Sequence, residues 1–192
     1  EDLSQRTYNP AGAIYDQNGL ITGFYDSQED NYRQDHYQFH WNEKINNLWT
    51  LSFGINYTHG RGYYEEYNDS FIGNTDFTYL QLSPFEIGQE TVSETENITR
   101  KWLDNDYYVF TVSSNFVKNK TRLDLGLLLS RYLGDHFGTL IWAQTPGDIL
   151  PRKRFYDNQG DKKEINFYAK LEQPFNDRIN GFIDLQYRYV DY

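Results

Sequence analysis

WTLSFGINYTH, residues 49–59, alternates without a break. Trp49, Leu51, Phe53, Ile55 and Tyr57 fall on one side of an extended chain, and Thr50, Ser52, Gly54, Asn56 and Thr58 fall on the other. A period of two marks a β-strand with one apolar and one polar face. The preceding stretch DHYQFHWNEKI, residues 35–45, repeats the pattern, with Tyr37, Phe39 and Trp41 against His36, Gln38, His40 and Asn42. Between the two stretches lie Asn46, Asn47 and Leu48, so the pair reads as a hairpin. An antiparallel pair keeps its apolar residues together only if odd positions oppose odd ones, which an odd connection supplies. Phe39 is then expected opposite Ile55.

Two further pairs follow. Tyr108, Phe110, Val112 and Phe116 are matched by Leu123, Leu125, Leu127 and Leu129. The change from even to odd demands an even turn, and Asn119-Lys120 fits because Asn tolerates positive φ. Ile165, Phe167, Ala169 and Leu171 are matched by Ile179, Ile183, Leu185, Tyr187 and Tyr189. Odd meets odd there, so three or five residues are expected in the turn near Pro174 to Asp177. The fold class that results is all-β: an antiparallel meander of about six long strands, with little helix. Their windows are 35–45, 49–59, 106–118, 121–131, 164–173 and 178–190. Leu51, Phe53, Ile55, Leu125, Leu127, Ile183 and Leu185 are expected on one face, and Thr50, Ser52, Asn56, Asp124 and Asp184 on the other. Asn18-Gly19, between Ala13-Ile14-Tyr15 and Leu20-Ile21, reads as a separate small hairpin.

Short turns within hairpins contrast with long connections between them, and this divides the chain into 1–33 (loop), 34–59 (hairpin), 60–104 (loop), 105–131 (hairpin), 132–163 (loop) and 164–192 (hairpin). Outer-membrane barrels have this asymmetry, with periplasmic turns at one end and extracellular loops at the other. Aromatic residues make up 18% of the chain, yet the mean hydropathy is −0.83, so the rings do not accompany a general excess of apolar residues. They cluster instead near strand ends: Trp41, Trp49 and Phe116 by the short turns, and Tyr57, Tyr108, Tyr132 and Tyr189 by the long loops. Leu, Ile and Val fill the middles. Two aromatic girdles around an aliphatic band suit a lipid bilayer. No stretch approaches the roughly 20 apolar residues of a spanning helix, so spanning would require a closed barrel. With no Met and no leader before Glu1, the chain is expected to be a piece of a longer protein.

Several function classes are excluded. The absence of Cys removes disulfide scaffolds, thiol nucleophiles and Cys-ligated metals. A formal net charge of −10, without clustered Lys and Arg, argues against nucleic acid. No G-x-S-x-G, P-loop, H-E-x-x-H or dinucleotide fingerprint occurs, and Glu65-Glu66 or Asp104 with Asp106 carry little weight as a catalytic dyad in so acidic a chain. His36 and His40 share a strand face but stand roughly 13 Å apart, too far to bind one metal ion. Neither catalysis nor a cofactor is expected.

Four stretches carry a family resemblance: QDHYQFHW at Gln34 to Trp41, LSFGINYTHGRGYYEEY at Leu51 to Tyr67, GDHFGTLIWAQ at Gly134 to Gln144, and GFIDLQYRYVDY at Gly181 to Tyr192. They resemble barrel segments of TonB-dependent outer-membrane receptors from Bacteroidota, over most of residues 8–192. The resemblance implies a 22-stranded barrel with a plugged lumen, energised through TonB and importing an iron chelate, haem, cobalamin, glycan or peptide. It also implies three partners: the imported ligand, outer-membrane lipid, and TonB acting through a plug domain that lies outside this chain.

Within this frame Tyr63, Tyr64, Tyr67, His136 and Trp142 are expected in the outer loops as part of a ligand-binding surface, since rings alternating with charge can stack on a flat ligand. A strand prolonged beyond the membrane, with its tyrosines packed on neighbours, is the commoner arrangement of such residues. A lone His136 more often serves hydrogen bonding than metal ligation. Residues 60–104 hold nine acidic against three basic side chains, a surface that suits Ca²⁺ but is more often simply solvated. A competing function is a soluble β-rich carbohydrate-binding or glycoside-processing domain, in which the apolar face would pack inward.

Overall fold

The computed structural model describes residues 13–24, 29–70, 73–145, 147 and 152–192. Among these there is no helix. In chain order the strands are β1 (Ala13–Tyr15), β2 (Ile21–Phe24), β3 (Asp30–Lys44), β4 (Trp49–Asn68), β5 (Phe85–Ile87), β6 (Glu90–Val92), β7 (Asn97–Lys118), β8 (Thr121–Ala143), β9 (Arg154–Asn176) and β10 (Ile179–Asp191). β3, β4, β7, β8, β9 and β10 lie side by side in that order as one antiparallel sheet, which does not close on itself and has β3 and β10 as edges. β1 with β2 and β5 with β6 form two small hairpins, the first turning at Gly19 with φ 79°.

Five of the six long strands run well past their expected windows, while β10 keeps to its own. β4 continues to Asn68, β7 begins at Asn97, β8 continues to Ala143 and β9 begins at Arg154, so residues 60–68, 97–104, 132–143 and 154–163 are strand where loop was expected. The physical reason is that apolar alternation stops near residue 59 while ladder hydrogen bonding does not. Along β4, charged residues then alternate with rings, at Arg61, Tyr63, Glu65 and Tyr67, and the hydrophobic period is lost.

Three turns hold the register. Asn46 Oδ1 accepts from the Leu48 and Trp49 amides at 2.8 and 3.0 Å, and Tyr37 stacks on Tyr57 at 5.8 Å. That contact lies two residues along each strand from the expected Phe39–Ile55 pair. Asn119 sits at φ 56°, as its two-residue turn requires. The β9–β10 turn differs from expectation: Asp177-Arg178 is a two-residue turn, and a register shift between Ile179 and Asn180 follows it. The bulge restores the odd parity that a longer turn would have provided, so that Ile183 opposes Leu171 and Leu185 opposes Ala169.

The chain forms two compact units. One contains the described residues of Gln34–His59, Asn105–Gly134 and Gly160–Tyr192. Its apolar face carries cross-strand ring ladders: Tyr37, Tyr57 and Tyr108 stack at 5.8 and 5.0 Å, while Phe39, Phe53 and Phe110 meet edge-on at 6.3 and 5.1 Å. Val112, Leu125, Leu127 and Phe167 border a shallow hollow. The other face is polar. His36 bonds Thr58 at 2.9 Å, Asp124 bonds Asn115, Lys170 pairs with Asp184 at 3.6 Å, and Arg188 pairs with Glu164 at 2.8 Å. At Gly126 the Tyr168 ring lies so close that an added Cβ would stand 2.2 Å from it.

The second unit contains the described residues of Glu1–Arg33, Gly60–Asp104 and Asp135–Gln159. Leu80, Leu140 and Phe155 form its core, with Tyr79, Leu82, Ala143 and Tyr156 packed around them. Asn68, Asn97 and Thr99 are fully buried. Asn68 Nδ2 donates to Asn97 Oδ1 at 3.0 Å, and Asn97 Nδ2 donates to the carbonyls of Asn74 and Thr95 at 3.1 and 3.0 Å. These bonds fasten the segment between β4 and β7 to the start of β7. At Gly62 a Cβ would lie 2.2 Å from the Asn31 carbonyl oxygen and 2.6 Å from Tyr32 Cα. Backbone cannot swing aside as a side-chain tip can. Gly62→Val is therefore expected to destabilise by about 3 kcal/mol, seen as a lower urea midpoint at unchanged slope; an unchanged midpoint would show that β3 yields freely there.

Candidate functional site

Successive residues of a strand point to opposite faces, and in the second unit this splits two adjacent charge pairs. Glu65-Glu66 on β4 meets Arg100-Lys101 on β7. On one face Arg100 Nε pairs with the buried Glu65 at 2.6 Å; on the other, Lys101 Nζ pairs with Glu66 at 2.5 Å. The two carboxylates thus serve opposite sides of the sheet and do not form a dyad.

The Arg100 face carries a ladder of rings and guanidinium groups. Tyr63 lies 4.5 Å from Trp102, and Trp102 stacks on Phe137 at 5.7 Å with the planes 10° apart. Arg100 covers Tyr63 at 4.2 Å, Arg61 covers Trp102 at 5.6 Å, and Arg154 covers Phe137 at 3.7 Å. Each cation also has a carboxylate: Glu65 for Arg100, Asp104 for Arg61 at 3.3 Å, and Asp157 for Arg154 at 2.6 Å. The Tyr63 hydroxyl donates to Glu29 Oε2 at 2.5 Å, a bond that raises the phenol's pKa above its ordinary value. Rings and charges here satisfy one another.

The Lys101 face is concave. Thr78, Tyr79, Gln81, Lys101, Phe155, Tyr156 and Asn158 line an open depression of about 480 Å³, within the range of small-molecule sites. Phe155 is buried at its floor, 5.3 Å from the Tyr79 ring and 5.1 Å from the Tyr156 ring. Lys101 Nζ also lies 5.7 Å from the Tyr64 ring. Burial pushes the Lys101 ammonium down, but the Glu66 carboxylate paired with it outweighs burial and holds the group up to about 12. Burial raises both the Tyr79 and Tyr156 phenols. At neutral pH the depression therefore offers an ammonium, two protonated phenols, a hydroxyl and two amides beside apolar ring faces. Among the described residues no group of three His, Asp or Glu is placed to hold a metal ion.

The five candidate residues all lie on strands, not in loops: Tyr63, Tyr64 and Tyr67 on β4, and His136 and Trp142 on β8. The structure does not gather them. Tyr63 belongs to the ring ladder, and Tyr64 lies on the opposite face beside Lys101, 40% exposed. The Tyr67 hydroxyl donates to Glu96 at 2.9 Å. His136 and Trp142 are exposed at positions six residues apart along β8, roughly 20 Å at the strand rise. The sequence pattern missed Tyr79, Lys101 and Tyr156, which come from three distant segments. One signal was available: Arg100-Lys101 are two of the three cations in the acidic stretch 60–104, and they face the adjacent Glu65-Glu66.

Burial and then the Glu96 hydrogen bond push the Tyr67 phenol up to about 12. A raised folded-state pKa contributes stability below pH 10 that is lost as pH rises from about 10 through 12. The difference in phenolate absorbance between wild type and Tyr67→Phe is expected to show a step near pH 12. A step near pH 10 would place Tyr67 in solvent.

Compared with known proteins, the chain matches no family model, no curated protein and no solved structure.

Proposed function

We propose that this chain is part of an outer-membrane, TonB-dependent receptor that imports a scarce nutrient, supplying a portion of the barrel wall and part of the ligand-facing surface. The supporting observation is the uncovered apolar face of the first unit. Phe39, Trp41, Ile55, Phe167, Ile183 and Leu185 are all exposed, while the opposite face carries Asp124, Lys170, Asp184 and Arg188. Rows of exposed large apolar side chains on a long antiparallel sheet suit lipid, and the charged face suits a lumen. A sandwich domain would cover those rows with a second sheet; among the described residues the other sheets are hairpins with strands of three or four residues.

In this function the chain binds and conducts and makes no covalent bond. Its partners are outer-membrane lipid, the imported ligand, and TonB acting through a plug domain of the complete receptor. Fractionating cells that express the complete gene tests the proposal: the protein should band with the outer membrane, and nutrient uptake should stop when TonB is deleted. Recovery as a soluble protein, or uptake indifferent to TonB, would refute it.

A further inference from the structure

We infer that the depression lined by Tyr79, Gln81, Lys101, Tyr156 and Asn158 is a subsite for a neutral sugar ring of an oligosaccharide. The ligand class rests on the receptor reading above, while the pocket chemistry stands by itself. A pyranose has two apolar C–H faces and a rim of hydroxyl groups, each both donor and acceptor. The depression matches both parts. Tyr79 and Tyr156 flank the buried Phe155 and, with it, bring aromatic carbon to the lining, to which the C–H groups of a sugar can pack. The Asn158 and Gln81 amides, the Thr78 hydroxyl and the two phenols supply donors and acceptors around those rings.

Charge selects against an anion. Lys101, the cation of the lining, is already held by Glu66 at 2.5 Å, so an anionic group would have to compete with a fixed carboxylate. The ammonium keeps donors to spare beyond Glu66 and can bond sugar hydroxyls without needing a countercharge. Lys153, the neighbouring cation, donates to the Gln81 carbonyl, and Gln81 has φ 52°. That bond ties the lining turn to the segment before β9, so Lys153 acts as a fastening. A cavity of about 480 Å³ holds one ring with room for part of a second.

Calorimetry on the complete receptor in detergent tests this with defined probes: cellotetraose, maltotetraose, mannotetraose, xylotetraose and tetragalacturonate. At least one neutral tetramer is expected to bind, and tetragalacturonate to bind more weakly than it. Tyr79→Ala and Tyr156→Ala should each weaken binding about 3- to 10-fold. The exposed variant Asn158→Ala, whose fold is not in question, should weaken it several-fold. Failure of every neutral tetramer, preference for galacturonate, or unchanged affinity in all three variants would overturn the inference. Binding is measured without TonB or a membrane. A protein that binds sugar yet fractionates as soluble would therefore sink the importer reading and leave this one standing.

Discussion

On the proposed barrel reading, Leu127→Arg in the complete protein is expected to leave little of it assembled in the outer membrane. Leu127 sits midway along the apolar stretch of β8, beside Val112, Leu125 and Phe167 on the apolar face. A cation at the bilayer midplane of a barrel's lipid face costs about 2 to 4 kcal/mol, a large part of the stability of an ordinary domain. The neighbouring polar face supplies the control. Asp124, which bonds Asn115 and Arg122, already carries charge three residues away, so Asp124→Asn should assemble normally. Heat-modifiable migration of outer-membrane fractions distinguishes the two. Normal assembly of Leu127→Arg would mean that this face meets water or protein and would remove the main support for a membrane barrel.

Arg100→Ala is expected to cost about 3 to 5 kcal/mol, because it strands a buried carboxylate. The Glu65 side chain is 5% exposed and relies on Arg100 Nε at 2.6 Å; Arg100 also lies over the Tyr63 ring. Removing the cation takes from the buried Glu65 the countercharge that it holds in the folded protein. A second change tests that cause: Glu65→Gln in the Arg100→Ala background should recover most of the loss, since a neutral amide does not need the guanidinium. Urea unfolding of wild type, Arg100→Ala, Glu65→Gln and the double variant closes the double-mutant cycle. A single-variant cost under about 1 kcal/mol would class the pair with exposed ion pairs.

How far the sequence could be followed depended on which physical signal each part carried. The hairpin at Asn46–Leu48, the two-residue turn at Asn119 and the odd-to-odd pairing of β9 with β10 follow from parity, since a one-residue slip would move every apolar side chain to the wrong face. The bulge after Asp177-Arg178 was not legible. Parity states that an odd offset is needed, yet a longer turn and a short turn with a bulge satisfy it equally. The continuation of β4 through Gly60–Asn68 was hidden for another reason: once Arg61, Tyr63, Glu65 and Tyr67 replace aliphatic residues, the pleat persists with no hydropathy to mark it.

The sequence by itself determined the all-β class, the long consecutive strands and the two-faced pattern of the first unit, because a period of two is local and repeats along every strand. Tertiary structure alone decided what the second unit's side chains do. Glu65 and Glu66 are adjacent in sequence, but the pleat sends one to Arg100 and the other to Lys101. Tyr63 and Tyr64 part in the same way, one into a filled ring ladder and one beside an open depression. Tyr79, Lys101 and Tyr156 share that depression only because strand pairing and the packing of the 73–82 segment bring distant parts of the chain together. Such contacts depend on register and chain path, which no local pattern of residues records.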